Sequence, residues 1–288
     1  MTHKTIRKVG LSTFHNKLSI PFLLACREGG VDCVEVSQSE HFDDEVSMAE
    51  MAEMGRETGV HIWSYHLPFA SHVAISLSNK TMRTQTLARY ARRIKEAGDA
   101  GILHVIVHPS TEPIADCDRK DHLLRSADAL NTLAEVAKGA GVTLCVEDLP
   151  RSCLGHSIEE LSFLLSANSY LKMVFDSNHL LQGESHRDVL MAFADRIATL
   201  HLSDYDGIDE RHWLPGEGII DWPTVMDTLD EIGYSGPLMF EVPLRTPSSI
   251  IRARDLTPED IRRCANELTE RKPLTVLGTP HPKRGLWR

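Results

Sequence analysis

Apolar residues in this chain gather into eight short runs: Val9–Phe14, Cys33–Val36, His61–Tyr65, His104–Val107, Thr143–Val146, Lys172–Phe175, Ile197–Leu202 and Leu238–Val242. The runs are rich in Val, Ile, Leu or Phe, and turn-forming residues follow them. Several show no alternation of apolar and polar positions, as expected of parallel strands covered on both faces. Between the runs the period becomes helical. Leu87, Tyr90, Ala91, Ile94 and Ala97 form an amphipathic stripe ahead of Gly98, and Leu130, Leu133, Ala134 and Ala137 form another ahead of Gly139. Ser157 and Glu160 have the spacing of a capping box, and Asp221 can cap a helix that carries Val225, Leu229 and Ile232 and stops at Gly233. Strands alternating with helices in this way predict an α/β fold, a (β/α)8 TIM barrel. A doubly wound dinucleotide-binding sheet is the alternative, but GLSTFHN after the first strand is not GxGxxG. Residues 1–271 are expected to form one barrel domain. Residues 272–288 form a basic, Pro-containing tail, expected to pack on a partner subunit or to stay mobile.

The polar residues that end these runs carry the chemistry. Glu147 follows VTLCV, Asp176 follows LKMVF, His201 follows IATL and Glu241 follows PLMF. Glu35, His66 and His108 end three further runs, while His179 and His212 lie close behind Asp176 and His201. One His or Glu at a strand end is more often a hydrogen-bonding residue than a ligand. His41, His72, His104, His156 and His186 are assigned to that structural class. Seven such groups at one rim read differently, because carboxylates buried together without a cation repel one another. Three carboxylates and an imidazole make an oxygen-rich site for one divalent cation, Mn, Mg or Co. That cation would acidify the C–H beside a carbonyl, and two glutamates could then exchange protons on opposite faces of an enediolate. Glu147 and Glu241 are the expected pair.

The formal net charge of −10 argues against a nucleic-acid backbone as the main partner. Six cysteines without CxxC spacing indicate neither a disulfide framework nor a thiolate zinc site. The N-terminus has no apolar h-region and the chain has no long apolar stretch, so a cytoplasmic protein without a membrane span is expected.

The motifs YHLPF, VIVHPS, LCVEDLP, FDSNH, LHLSD and MFEVP, with WLPGEGIIDW after the seventh strand, resemble the xylose-isomerase-like TIM-barrel superfamily. That superfamily includes sugar phosphate isomerases and epimerases, inosose dehydratases and AP endonucleases. The resemblance implies metal ligands at Glu147, Asp176, His201 and Glu241, and substrate contacts from His179 and from His66, His108, Arg211 and His212. Two departures stand out. Asp148 replaces the Asn that often follows the strand-five Glu, leaving open a ligand, an acceptor for a histidine, or no role. Arg211 lies ten positions after the strand-seven His, so it is either a substrate-gripping residue or a surface ion-pair residue.

Phe14, Phe69 and Trp213 are candidate walls of a pocket formed by loops Phe14–Lys17, Ser37–Phe42 and Pro68–Ser76. The expected activity is isomerisation or epimerisation of a small sugar, sugar phosphate or polyol, in a chain that pairs as a homo-oligomer. The rival reading is a trinuclear zinc AP endonuclease, because His66, His108, His179 and the triplet Glu210-Arg211-His212 approximate its ligand pattern. A polyol dehydratase and a non-catalytic sugar-binding barrel complete the alternatives.

Overall fold

Each of the eight apolar runs forms a strand in the computed structural model, which describes residues 7–37, 46–180 and 183–282. The strands are β1 (Val9–Ser12), β2 (Cys33–Val36), β3 (His61–His66), β4 (His104–Val107), β5 (Thr143–Glu147), β6 (Lys172–Asp176), β7 (Ile197–His201) and β8 (Leu238–Phe240). They pair in parallel in the order β7-β6-β5-β4-β3-β2-β1-β8. The ring closes where Leu202 N–H donates to the Met239 carbonyl at 2.8 Å and Glu241 N–H donates to Leu202 at 3.1 Å. The architecture is the expected TIM barrel. Inside it Ile106, Cys145 and Val174 pack together, while a larger apolar layer fills the space between strands and helices. Both strand faces are therefore buried, which explains why the sequence shows no alternation.

Two helix ends lie beyond the glycines that were expected to stop them. The helix Lys80–Ala100 runs through Gly98 and ends at Gly101, whose φ is 79°. Gly98 is a close-approach residue: a Cβ there would lie 2.5 Å from the Ala140 carbonyl oxygen of the next helix. That next helix, Asp116–Ala140, likewise passes Gly139 and ends at Gly141, with φ 68°. Ser157 caps Ile158–Ser166 through Glu160 N–H, but the Glu160 carboxylate binds Arg119 and Gly155 N–H instead of closing the box. Asp221 caps Trp222–Glu231 as its sequence suggests.

The first part of the tail folds back on its own chain. β10 (Gly278–Pro280) pairs antiparallel with β9 (Ile250–Arg252). Residues 283–288 lie outside the described residues, as do His41 and residues 38–42 of the expected Ser37–Phe42 loop. Among the described residues no helix is long and apolar enough to cross a membrane.

Candidate active site

The C-terminal ends of the strands surround a cleft of about 340 Å³, with Glu147 and Glu241 among its lining residues. Glu147, Asp176, His201 and Glu241 are all buried, and donor atoms from the four lie within 4.8 Å of one another. His201 Nδ1 is 2.8 Å from Glu147 Oε1 and 3.7 Å from both Asp176 Oδ2 and Glu241 Oε2. On its other side, Nε2 sits 2.9 Å from Glu35 Oε1, but off the line of a hydrogen bond. Ser12 and Ser64 donate to the two Glu35 oxygens, so β1 and β3 fix that carboxylate behind the histidine. The sequence placed Glu35 at the rim, but its service to His201 depends on the closed barrel that brings β2 opposite β7.

These residues fit a divalent cation. Asp176 Oδ2 is buried without a hydrogen-bond partner, although its other oxygen accepts from Asn178 N–H at 2.7 Å. An orphaned carboxylate oxygen facing two further carboxylates and an imidazole is costly unless a positive charge completes the group. The electrostatics agree. Burial raises the Glu241 carboxyl well above the ordinary range; His201 opposes the shift, while Asp176, Glu147 and Glu35 add repulsion to it. Burial pushes Glu147 the same way, but His201 and His108 reverse it and hold that carboxyl well below the usual range. His201 is raised well above its ordinary value, since Glu241, Glu35 and Glu147 overcome its burial. A dication would supply the compensation that protons otherwise provide.

Histidines form the next ring. His66 Nε2 and His108 Nε2 each lie 3.0 Å from Glu147 Oε2, giving a second group of potential ligands. His66 Nδ1 meets the Leu67 carbonyl at 2.8 Å, which fixes the ring so that Nε2 faces the cleft. His179 is held at both ends: Nδ1 donates to the Asp148 carbonyl at 2.7 Å, and Nε2 lies 2.7 Å from Glu210 Oε1. Asp176 and Glu210 raise its pKa well above the ordinary value despite burial. The Asp148 main chain is thus the acceptor for a histidine. Its side chain serves elsewhere, with Oδ1 accepting from Asp176 N–H at 2.8 Å. His212 Nδ1 lies 3.5 Å from Glu241 Oε2, and its ring packs 4.6 Å from Phe14. Phe69 stacks on His108 at 4.0 Å, and both phenylalanines line the cleft.

Two expectations are corrected. Arg211 neither reaches the cleft nor lies on the surface. Its side chain is 1% exposed, with Nε 2.9 Å from Asp206 Oδ2, because the loop after β7 turns it inward while His212 turns toward the cleft. Trp213 is fully buried and donates to Ser249 Oγ, so it belongs to the core rather than a cleft wall. Asp204 of the LHLSD motif organises the loop: its carboxylate accepts from Tyr205, Gly216 and Ile220 N–H and from Trp222 Nε1. Gly218 approaches so closely that a Cβ would lie 2.2 Å from Asp204 Oδ1.

Glu112 and Arg151 carry no functional signal in the sequence. Arg151 has φ 52°, in the left-handed region that non-glycine residues rarely occupy. The conformation points its guanidinium at Glu112, Asp209 and Glu210, joining the loops after β4, β5 and β7.

Fold and donor set define a TIM barrel with a rim site able to hold a metal ion. The chain belongs to the xylose isomerase-like TIM barrel family, whose model matches residues 23–267. It is 28% identical to inosose dehydratase of Serratia proteamaculans over 41% of this chain, and the match spans only 46% of that protein. It is 25% identical to L-ribulose-5-phosphate 3-epimerase UlaE of Salmonella heidelberg over 81% of this chain and 86% of that one. The crystal structure of a D-tagatose 3-epimerase-like protein superposes with a TM-score of 0.78 at 23% identity, covering 91% of this chain and 97% of the other. That likeness is one of fold.

Proposed function

We propose that this protein is a divalent-metal-dependent isomerase or epimerase of a small sugar or polyol, with Glu147 and Glu241 as the two proton carriers. The observation that carries the reading is the buried set Glu147, Asp176, His201 and Glu241, with an orphaned Asp176 oxygen inside it. These four would hold the cation, which supplies Lewis acidity toward adjacent carbonyl and hydroxyl oxygens. Glu147 and Glu241 come from β5 and the end of β8, on different sides of the ring, so a substrate between them is open to each on a different face. One removes the proton beside the carbonyl and the other returns it: return to the same carbon on the opposite face gives the epimer, and return to the neighbouring carbon gives the isomer. His66, His108, His179 and His212 contact substrate hydroxyls, with His179 oriented by Asp148 and Glu210. UlaE, an epimerase by name, covers most of the chain, which supports the same reading. The test is solvent-deuterium incorporation at the carbon beside the carbonyl, using Mn-loaded protein and a panel of ketoses. Metal bound without exchange on any of them would sink the enediolate reading.

One observation favours a second reading. His66, His108 and Glu147 form a second potential ligand group, and His179, Glu210 and His212 stand beside the first. Several zinc ions held this way suit hydrolysis of a phosphodiester. Elemental mass spectrometry separates the two: about one Mn, Co or Mg per chain for the isomerase, two or three Zn for the hydrolase.

A further inference from the structure

Resting on the isomerase reading, we propose that the cleft selects an uncharged polyhydroxy carbonyl compound, a free ketose or ketopolyol, over the same skeleton carrying a phosphate monoester. The cleft is poor in Lys and Arg. Among the described residues that line it, Arg151 is the one Lys or Arg. Its guanidinium is already held. Nε lies 2.9 Å and Nη2 2.5 Å from Glu112 Oε1, while Nη1 lies 3.0 Å from Asp209 Oδ1 and 2.9 Å from Glu210 Oε2.

A phosphate ester is ordinarily gripped by a free Arg fork or by a helix N-terminus. Here Glu112 fills the fork, and three carboxylates around one guanidinium leave the group net negative. Glu210 also binds His179 Nε2 at 2.7 Å, so the nearby histidine charge is answered as well. A phosphate dianion at this mouth would face like charge with no donor fork to meet it.

Sugar hydroxyls meet the opposite situation. Each O–H can donate to a rim carboxylate such as Glu112 or Glu210, and its oxygen can accept from a histidine. Phe14 and Phe69 supply apolar walls for the C–H faces of such a molecule. The preference therefore comes from charge arrangement, with carboxylates as acceptors where a phosphate site would need donors.

The experiment titrates matched pairs onto Mn-loaded protein by calorimetry: D-fructose against D-fructose 6-phosphate, and L-ribulose against L-ribulose 5-phosphate. In each pair the free ketose should bind at least about tenfold more tightly, a gap of about 1.4 kcal/mol. Equal or tighter binding of either ester overturns the proposal, as does failure of both ketoses to bind. Deuterium exchange in the same samples reports on the isomerase reading separately. Ketose preference without exchange would sink that reading alone, while ester preference with exchange would sink this one alone. Glu112→Gln should free the Arg151 fork and narrow the gap severalfold. An unchanged gap in that variant shows that the acids around Arg151 do not set the preference.

Discussion

The two mouths of the barrel both carry histidines, and one from each, His104 and His201, is pushed in the opposite direction from the other. At the N-terminal mouth His104 begins β4, stacks on Trp63 at 4.3 Å, and meets the Trp63 carbonyl through Nδ1 at 3.2 Å. Burial lowers its pKa, and a backbone bond only partly offsets this. At the C-terminal mouth His201 ends β7 among Glu35, Glu147, Asp176 and Glu241, and its pKa is raised well above the ordinary value. Residue type does not separate the two. Position along the strand does, because the βα loops and strand ends that converge at the C-terminal face bring carboxylates together. A strand-end histidine is chemical when its neighbours are acids, and structural when they are rings and carbonyls.

The strongest way to break this contrast is to remove one acid. Glu147→Gln keeps the shape but removes the charge that His201, His66 and His108 all face, so turnover should fall by about 10³-fold or more. Glu241→Gln should behave alike. Both variants should retain the wild-type circular dichroism spectrum. Near-full deuterium exchange from either would show that it carries no proton.

Not every buried acid at this mouth is chemical, which sharpens the contrast. Glu217 accepts from Arg252 Nε at 3.0 Å and Nη2 at 2.5 Å, with both side chains almost fully buried. It ties the loop after β7 to β9, outside the lining of the cleft. Glu217→Gln leaves a buried guanidinium facing an amide and should cost about 3–5 kcal/mol of stability in urea denaturation. A loss below about 1 kcal/mol would place the pair with exposed ion pairs instead. Glu35 lies between these extremes, behind His201 but fixed by Ser12 and Ser64. Glu35→Gln should weaken Mn binding by about 10–100-fold, since a partner behind a ligand orients it and tunes its basicity. A metal titration that matches wild type would leave Glu35 as core polarity with no hold on His201.

Strands were the most legible part of the sequence, because burial on both faces leaves uninterrupted apolar runs whose polar ends mark the rim. That pattern placed Glu147, Asp176, His201 and Glu241 before any geometry. Helix ends were less legible, since a glycine serves equally as a terminator or as a site of close approach. Gly98 is the second kind, and only its neighbour Ala140 reveals it. The loops were least legible. Arg151 meets Glu112, Asp209 and Glu210 across 39, 58 and 59 positions, separations with no period to detect. Arg211 shows the same limit: adjacent to His212, it points the opposite way, and the turn that sorts the two leaves no mark in composition.

The smallest predicted effect tests the structural mouth. The His104 pKa is lowered from the ordinary 6.5, chiefly by burial, so the unfolded chain takes up that proton more readily than the folded one. Its contribution to stability is therefore complete above the unfolded value and declines as pH falls through it. His179 has the opposite sign: with its pKa raised, its contribution is present below the unfolded value and is lost as pH rises through the folded one. The contribution of such lowered histidines to melting temperature should accordingly fall between about pH 7 and pH 5.5, where an unperturbed histidine titrates. His104→Gln, which cannot take up the proton, should make that decline shallower without removing it, since His61 and His186 are lowered by burial as well. An unchanged slope would mean that the N-terminal mouth tolerates a charged His104, and that the two ends of the barrel differ less than their surroundings imply.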